Sequence, residues 1–217
     1  ILLSSTYQQS SEFNDKVAAS ASADISDLYA SFPRRRLSAE EIRDTILMVS
    51  GDLDRTPGTE HPFPSPITWG YSQHAPFNAV YDHDKRSVYL MTQRIRRHPF
   101  LALFDGADPN TTTAERLATT VPTQALFFLN DPFIYSKSER WADRLLGMKS
   151  TDAERIEMAW RTAIGRLPSG QEANEATEFL KIYSQELVSS KIDTVERRSL
   201  AAYLRTLIGS NEFLHVD

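Results

Sequence analysis

Apolar residues return at helical spacing over one block of the first half of the chain and over most of the second half. Ile42, Ile46, Leu47 and Val49 fall on one side of a segment opened by Ser38 and closed by Gly51, which predicts an amphipathic helix. Ser38 and Glu41 form a capping box, and Leu37 and Ile42 have the spacing of a hydrophobic staple. Gly51 suits the left-handed C-terminal cap. Further on, Pro122 stands where a helix start loses nothing by lacking an amide, and Asp131-Pro132 both ends that helix and opens the next. Leu126, Phe127, Phe128 and Leu129 are continuously apolar, which places their helix at the centre of the domain. Phe133, Ile134, Trp141 and Leu145 line one face of the following helix.

The last third repeats this logic with shorter joints. Thr151 with Glu154 caps a helix carrying Ile156, Trp160, Ala163 and Ile164, which Gly165 and Pro168 stop. Ser169 with Glu172 caps another carrying Ala176, Phe179, Leu180, Tyr183 and Leu187, and so short a connection demands an antiparallel hairpin. A third helix begins near Asp193 or Thr194 and buries Leu200, Tyr203, Leu204, Leu207 and Ile208. The pattern divides the chain into a helical part, 1–149, and a three-helix part, 150–217, packed on it.

Between these helical texts the pattern breaks. Residues 52–84 hold Pro57, Pro62, Pro64, Pro66 and Pro76 among glycines and aromatics, a composition that forbids long regular elements. The segment Ser87 to Thr92 is β-prone, with a helical reading also open. The fold class is therefore mainly α, with an irregular Pro-rich middle and at most a small β element. A length of 217 residues with 41% hydrophobic content suffices to bury a core. The net charge of -5 gives no general attraction to nucleic acid. No apolar run approaches a spanning helix, so membrane insertion by this chain is not expected. The absence of cysteine excludes thiolate metal sites and covalent haem attachment within it. No cofactor fingerprint occurs. The chain opens on Ile1 rather than Met, as a fragment of something longer would.

Several phrases, taken in order, resemble a known family: Ser4-Ser5-Thr6-Tyr7-Gln8-Gln9-Ser10-Ser11, the block from Arg34 to Gly51, Lys85 to Leu90, Phe104 to Asp108, Thr119 to Pro132, and the closing Ser210 to Leu214. The chain is similar to the C-terminal planctomycete-type domain of unknown function, found in large exported proteins that often carry a cytochrome c-like domain upstream. That resemblance implies an extracytoplasmic setting, periplasmic or secreted, and sister domains of the same polypeptide as partners. It brings no activity and no catalytic residues.

Candidate chemistry is sparse. Asp105, Asp108 and Asn110 gather oxygen ligands, yet their spacing is not that of an EF-hand, and such side chains ordinarily bond turn amides. Asp82-His83-Asp84 offers a base beside carboxylates, against the reading of a solvated loop. His61, His74, His98 and His215 show no i, i+4 pairing, so no zinc signature of the helical kind exists and no metal site is expected. Arg34, Arg35, Arg36, Arg86, Arg94, Arg96 and Arg97 suit a polyanion, or else pair internally with acids. The preferred arrangement is one internal polar network of Arg43, Asp44, Arg86, Asp105 and Asp108, which holds the irregular segment to the helices. Trp69, Tyr71 and Phe77 are candidates for stacking on a sugar ring. No serine has a nucleophile-elbow setting.

These readings lead to a non-catalytic interaction module contacting protein or polysaccharide. The rival readings are a hydrolase of polysaccharide or sulfated glycan, and a docking domain for a cytochrome c-like region.

Overall fold

Local hydrogen-bonding chemistry sets most of the helix ends in the computed structural model, which describes residues 3–5, 8, 34–60, 65–68, 79–148 and 150–216. The helices are α1 (Ala39–Ser50), α2 (Pro99–Leu103), α3 (Pro122–Asn130), α4 (Pro132–Leu146), α5 (Asp152–Ala163), α6 (Gly170–Ser189) and α7 (Val195–Ile208). The fold is mainly α. Among the described residues the one sheet is a two-residue antiparallel ribbon, β1 (Arg35–Arg36) with β2 (His215–Val216), in which Arg35 lies opposite Val216. Capping boxes form at Ser38/Glu41, Thr151/Glu154 and Ser169/Glu172. Gly51 takes φ 86° as the left-handed cap of α1, and its amide donates to the Leu47 and Met48 carbonyls. Asp131 ends α3 and caps α4 by accepting from the Phe133 amide.

Two expected elements differ. Ser87 to Tyr89 form a 3-10 turn rather than a strand, because Asp44 takes the Ser87 amide that a ladder would need. Thr194 precedes α7 at φ 59° with no side-chain cap, so that helix starts without the local signal its neighbours use.

One core runs through both parts of the chain. Ile42 and Ile46 of α1, Ile134, Trp141 and Leu145 of α4, Ile156 of α5, and Leu204 and Ile208 of α7 are all fully buried in it. Inside it Trp160 Nε1 donates to the Tyr203 hydroxyl at 2.8 Å, and burial pushes that hydroxyl's pKa up. A second layer of rings, Phe100, Phe104, Phe127, Phe128 and Phe133, packs edge-on and tilted between α2, α3 and the start of α4.

The expectation that α3 lies at the centre is corrected. Gln124 and Phe128 are buried and Phe127 half-buried, whereas Leu126 is 54% and Leu129 64% exposed. A single nine-residue helix can seat only one stripe on a flat ring layer. Positions 124 and 128 occupy that stripe, so 126 and 129 fall on the opposite side.

Candidate functional site

The irregular stretch 82–87 crosses α1 and α4, and polar side chains of both helices meet it there. Arg43, 2% exposed, projects from the middle of α1. Its Nη1 donates to the Lys85 carbonyl and the Ser87 hydroxyl, both at 3.3 Å, and its Nη2 donates to the His83 carbonyl and lies 3.5 Å from Asp82 Oδ1. Burial pushes the Arg43 guanidinium below its ordinary pKa, against the pull of Asp82, Asp44 and Asp84. The next residue, Asp44, accepts the Ser87 amide at 2.7 Å and lies 3.9 Å from the exposed Arg86. From α4, Lys137 donates to Asp84 at 2.9 Å and to Asp52 at 2.8 Å. Burial raises the Asp52 carboxyl, but the hydrogen bonds from Lys137 and Arg140 outweigh it and hold the pKa below the usual range. The guanidinium of Arg43 and the ammonium of Lys137 both sit about 6 Å from the Phe133 ring centre, within cation–π range.

Among the described residues of this joint, a proton-transfer geometry forms at a histidine that no sequence spacing singles out. His98 Nε2 lies 2.9 Å from Asp82 Oδ1, the imidazole buried and the carboxylate largely exposed. The hydrogen bond to His98 holds the Asp82 carboxyl below its ordinary value, against partial burial. His98 Nδ1 is buried with no partner among the described residues. The adjacent His83 is engaged on both nitrogens, Nδ1 accepting from the Lys85 amide and Nε2 facing the Tyr89 carbonyl. Beside His98 lies a 150 Å³ recess lined by Arg43, Asp82, Phe100, Phe127, Asp131 and Phe133.

The expected five-residue network divides. Arg43, Asp44 and Arg86 share the joint above. Asp105 belongs to another: it accepts from the Thr119 amide at 2.7 Å and from its hydroxyl, and lies 3.8 Å from Arg36. Arg36 also donates to the Thr119 carbonyl and to Gln124 Oε1, while Gln124 Nε2 donates to the Leu103 carbonyl. Asp108 accepts the Asn110 amide at 2.9 Å and lies 3.7 Å from Arg97. The division follows from reach, because Asp82, close in space though 39 residues away in sequence, takes the place beside Arg43 that the sequence offered to Asp105. Of the groups considered for a cation, Asp108 accepts a turn amide, Asp105 is taken up by Thr119, and Asn110 donates its side-chain amide to the Arg94 carbonyl. Among the described residues no three His, Asp or Glu side chains gather in a way that could hold a metal ion. Trp69, Tyr71 and Phe77, the candidates for sugar stacking, lie outside the described residues.

Acid should loosen these joints and the caps. Arg35 lowers Glu41 to about 2, and Arg166 lowers Glu172 to about 2, from an ordinary 4.5. A carboxylate with a depressed folded pKa contributes stability that is present above its unfolded value and is lost as pH falls through the folded one. Thermal melts should therefore hold level from neutral pH to about 5 and decline steadily between about 4.5 and 2. A melting temperature that stays level down to pH 3 would show that these pairs contribute nothing.

The two joints connect the stretches that carry the family resemblance, since the Arg34–Gly51 block meets 85–87 at one and 105–124 at the other. Together with the helical core they define a mainly α domain whose irregular stretches are pinned by buried and half-buried ion pairs. The chain belongs to the PSD1 family, described as protein of unknown function (DUF1553), whose family model matches residues 1–180. No curated protein matches the chain, and no solved structure does. Among the described residues no helix is long and apolar enough to cross a membrane.

Proposed function

We propose that this chain is a non-catalytic contact module of a larger extracytoplasmic protein, and that it acts through the surface along α1. The observation that carries this reading is where room lies on the molecule. The recess beside the His98–Asp82 pair holds 150 Å³, well below the roughly 300–1,000 Å³ of ligand pockets. Among the described residues, more room lies in two open grooves flanking α1, of about 610 and 650 Å³, than in the clefts of about 380 Å³ beside α6 and 360 Å³ beside β1. The buried cations Arg43 and Lys137 hold backbone and carboxylates of the same chain, as fastenings do. The exported, multidomain setting is supported by the family resemblance. It makes a protein partner, a sister domain included, the natural occupant.

A hydrolase of polysaccharide or sulfated glycan is favoured by one observation, the 2.9 Å contact between His98 and Asp82, a geometry suited to a general base oriented by a carboxylate. Hydrogen exchange separates the two readings. The contact reading expects residues 47–55 and 140–147 to slow in the parent polypeptide relative to the isolated chain. The hydrolase reading expects slowing at 82–100 on adding glycan, together with release of reducing ends that Asp82→Asn abolishes. The second result without the first would overturn the proposal.

A further inference from the structure

We infer that the groove along α1 binds an extended acidic peptide segment of a partner protein; this rests on the contact reading above and names the partner's chemistry. The two openings share Met48, Leu53 and Arg55 as a common wall, so they continue into one another past the C-terminal end of α1. Five guanidiniums line this path: Arg140 and Arg144 at one end, Arg55 in the middle, and Arg86 and Arg35 at the other. Arg35 is held by Glu41; the other four face the opening.

Their donors are largely uncommitted. Arg55 is exposed and makes no hydrogen bond or ion pair among the described residues. Arg140 uses only Nε, toward Asp52 at 3.2 Å, and its side chain is 62% exposed. Arg144 uses only Nη1, on the Met48 and Val49 carbonyls. Those bonds neutralise the negative end of α1, which would otherwise repel an anion. The side chain lies over Gly51, where any larger residue would crowd it, since a Cβ there would stand 3.3 Å from Arg144 Cδ. Arg86 touches Asp44 only at 3.9 Å.

Three of the four acids along the groove are held in close ion pairs. Asp143 is held by Arg197 through two bonds of 2.6 and 3.0 Å, Glu41 by Arg35 through two of 2.9 Å, and Glu40 by Arg116 at 2.6 Å. The fourth, Asp44, accepts the Ser87 amide and lies 3.9 Å from Arg86. Arginines therefore outnumber acids along the lining although the chain's net charge is -5, and forked guanidiniums with open donors match carboxylates.

The apolar wall decides between kinds of acidic polymer. Met48 is 40% and Val88 68% exposed, and Leu53 is half-buried. No aromatic ring stands among the described residues that line either opening. A sugar ring would find no stacking face there, whereas aliphatic side chains between carboxylates would find an adaptable thioether and two branched chains. Acidic residues interleaved with Leu or Val fit this wall, in an extended strand that follows the groove.

The test uses the whole chain and a fluorescent peptide of alternating Glu and Leu, with a Lys-Leu peptide as the charge-reversed probe. Saturable binding of the Glu-Leu peptide alone is expected, weakened by added salt. Arg55→Glu should weaken it about tenfold or more. Arg161→Glu, on an exposed arginine of α5 outside the groove, should stay within about twofold. Because Arg55 has no partner to lose, Arg55→Glu should melt as the parent does, and Arg140→Gln gives an independent second variant. Binding that ignores both groove variants, or tighter binding of a sulfated glycan than of the peptide, would overturn the inference. If hydrogen exchange still shows protection at 47–55 while the peptide fails, the contact reading stands and its acidic chemistry falls.

Discussion

Trp141→Ala is expected to lower the unfolding free energy by about 3–5 kcal/mol, the cost of deleting a large ring from a core that closes only partly around the void. Trp141 is 1% exposed and sits among Ile42, Ile46, Leu204 and Ile208 in a core drawn from α1, α4 and α7. For a chain of this size the loss should move the melting temperature by roughly 10 °C, at about 2–4 °C per kcal/mol. Leu126→Ala is the internal comparison. Its side chain is more than half exposed, so the same truncation should change stability by only about 0.5 kcal/mol. Equal losses at the two positions would contradict the placement of α3 at the surface and α4 at the centre.

Arg43→Met is expected to cost about 3 kcal/mol or more, even though the replacement keeps most of the side-chain volume. The carbonyls of His83 and Lys85 would lose their charged donor in a half-buried joint, and an orphaned buried acceptor costs about 1–3 kcal/mol. Asp82 would keep His98 but lose its contact with the Arg43 guanidinium. Because the bonds fasten residues 82–87 rather than build the core, the loss should come with faster hydrogen exchange in that stretch while α6 and α7 exchange as before. Unchanged exchange at 82–87 would show that the loop is held by Asp44 and Lys137 alone.

The same residues show how much of this protein is written locally. The ends of α1, α5 and α6 are legible because each capping box spans four residues, and no distant part of the chain is needed to satisfy those amides. The same holds for the Gly51 cap and for Asp131-Pro132, one residue closing a helix and its neighbour opening the next. The resemblance phrase Lys85 to Leu90 is legible too, but not what it touches. Whether Arg43 would face Asp82 or Asp105 is a question of loop path, and residues 52–84 carry no periodicity from which a path could be read. The pairing of His98 is illegible for a similar reason, since its carboxylate stands 16 positions earlier and no spacing rule joins the two.

The sequence by itself determined the mainly α class, the positions of the capped helices and the scarcity of catalytic or metal-binding patterns, because each depends on composition or on hydrogen bonds within one turn. Only the tertiary structure decided the rest. It set the exposed side of α3, since an all-apolar stripe does not say which half finds a partner. It paired β1 with β2 from opposite ends of the chain, and it started α7 from a left-handed Thr194 with no cap. It also gathered Arg55, Arg86, Arg140 and Arg144, from α4 and the stretches beside α1, along one groove. Contacts between residues far apart in sequence are fixed by how whole helices pack, and that information lies in no local window of the chain.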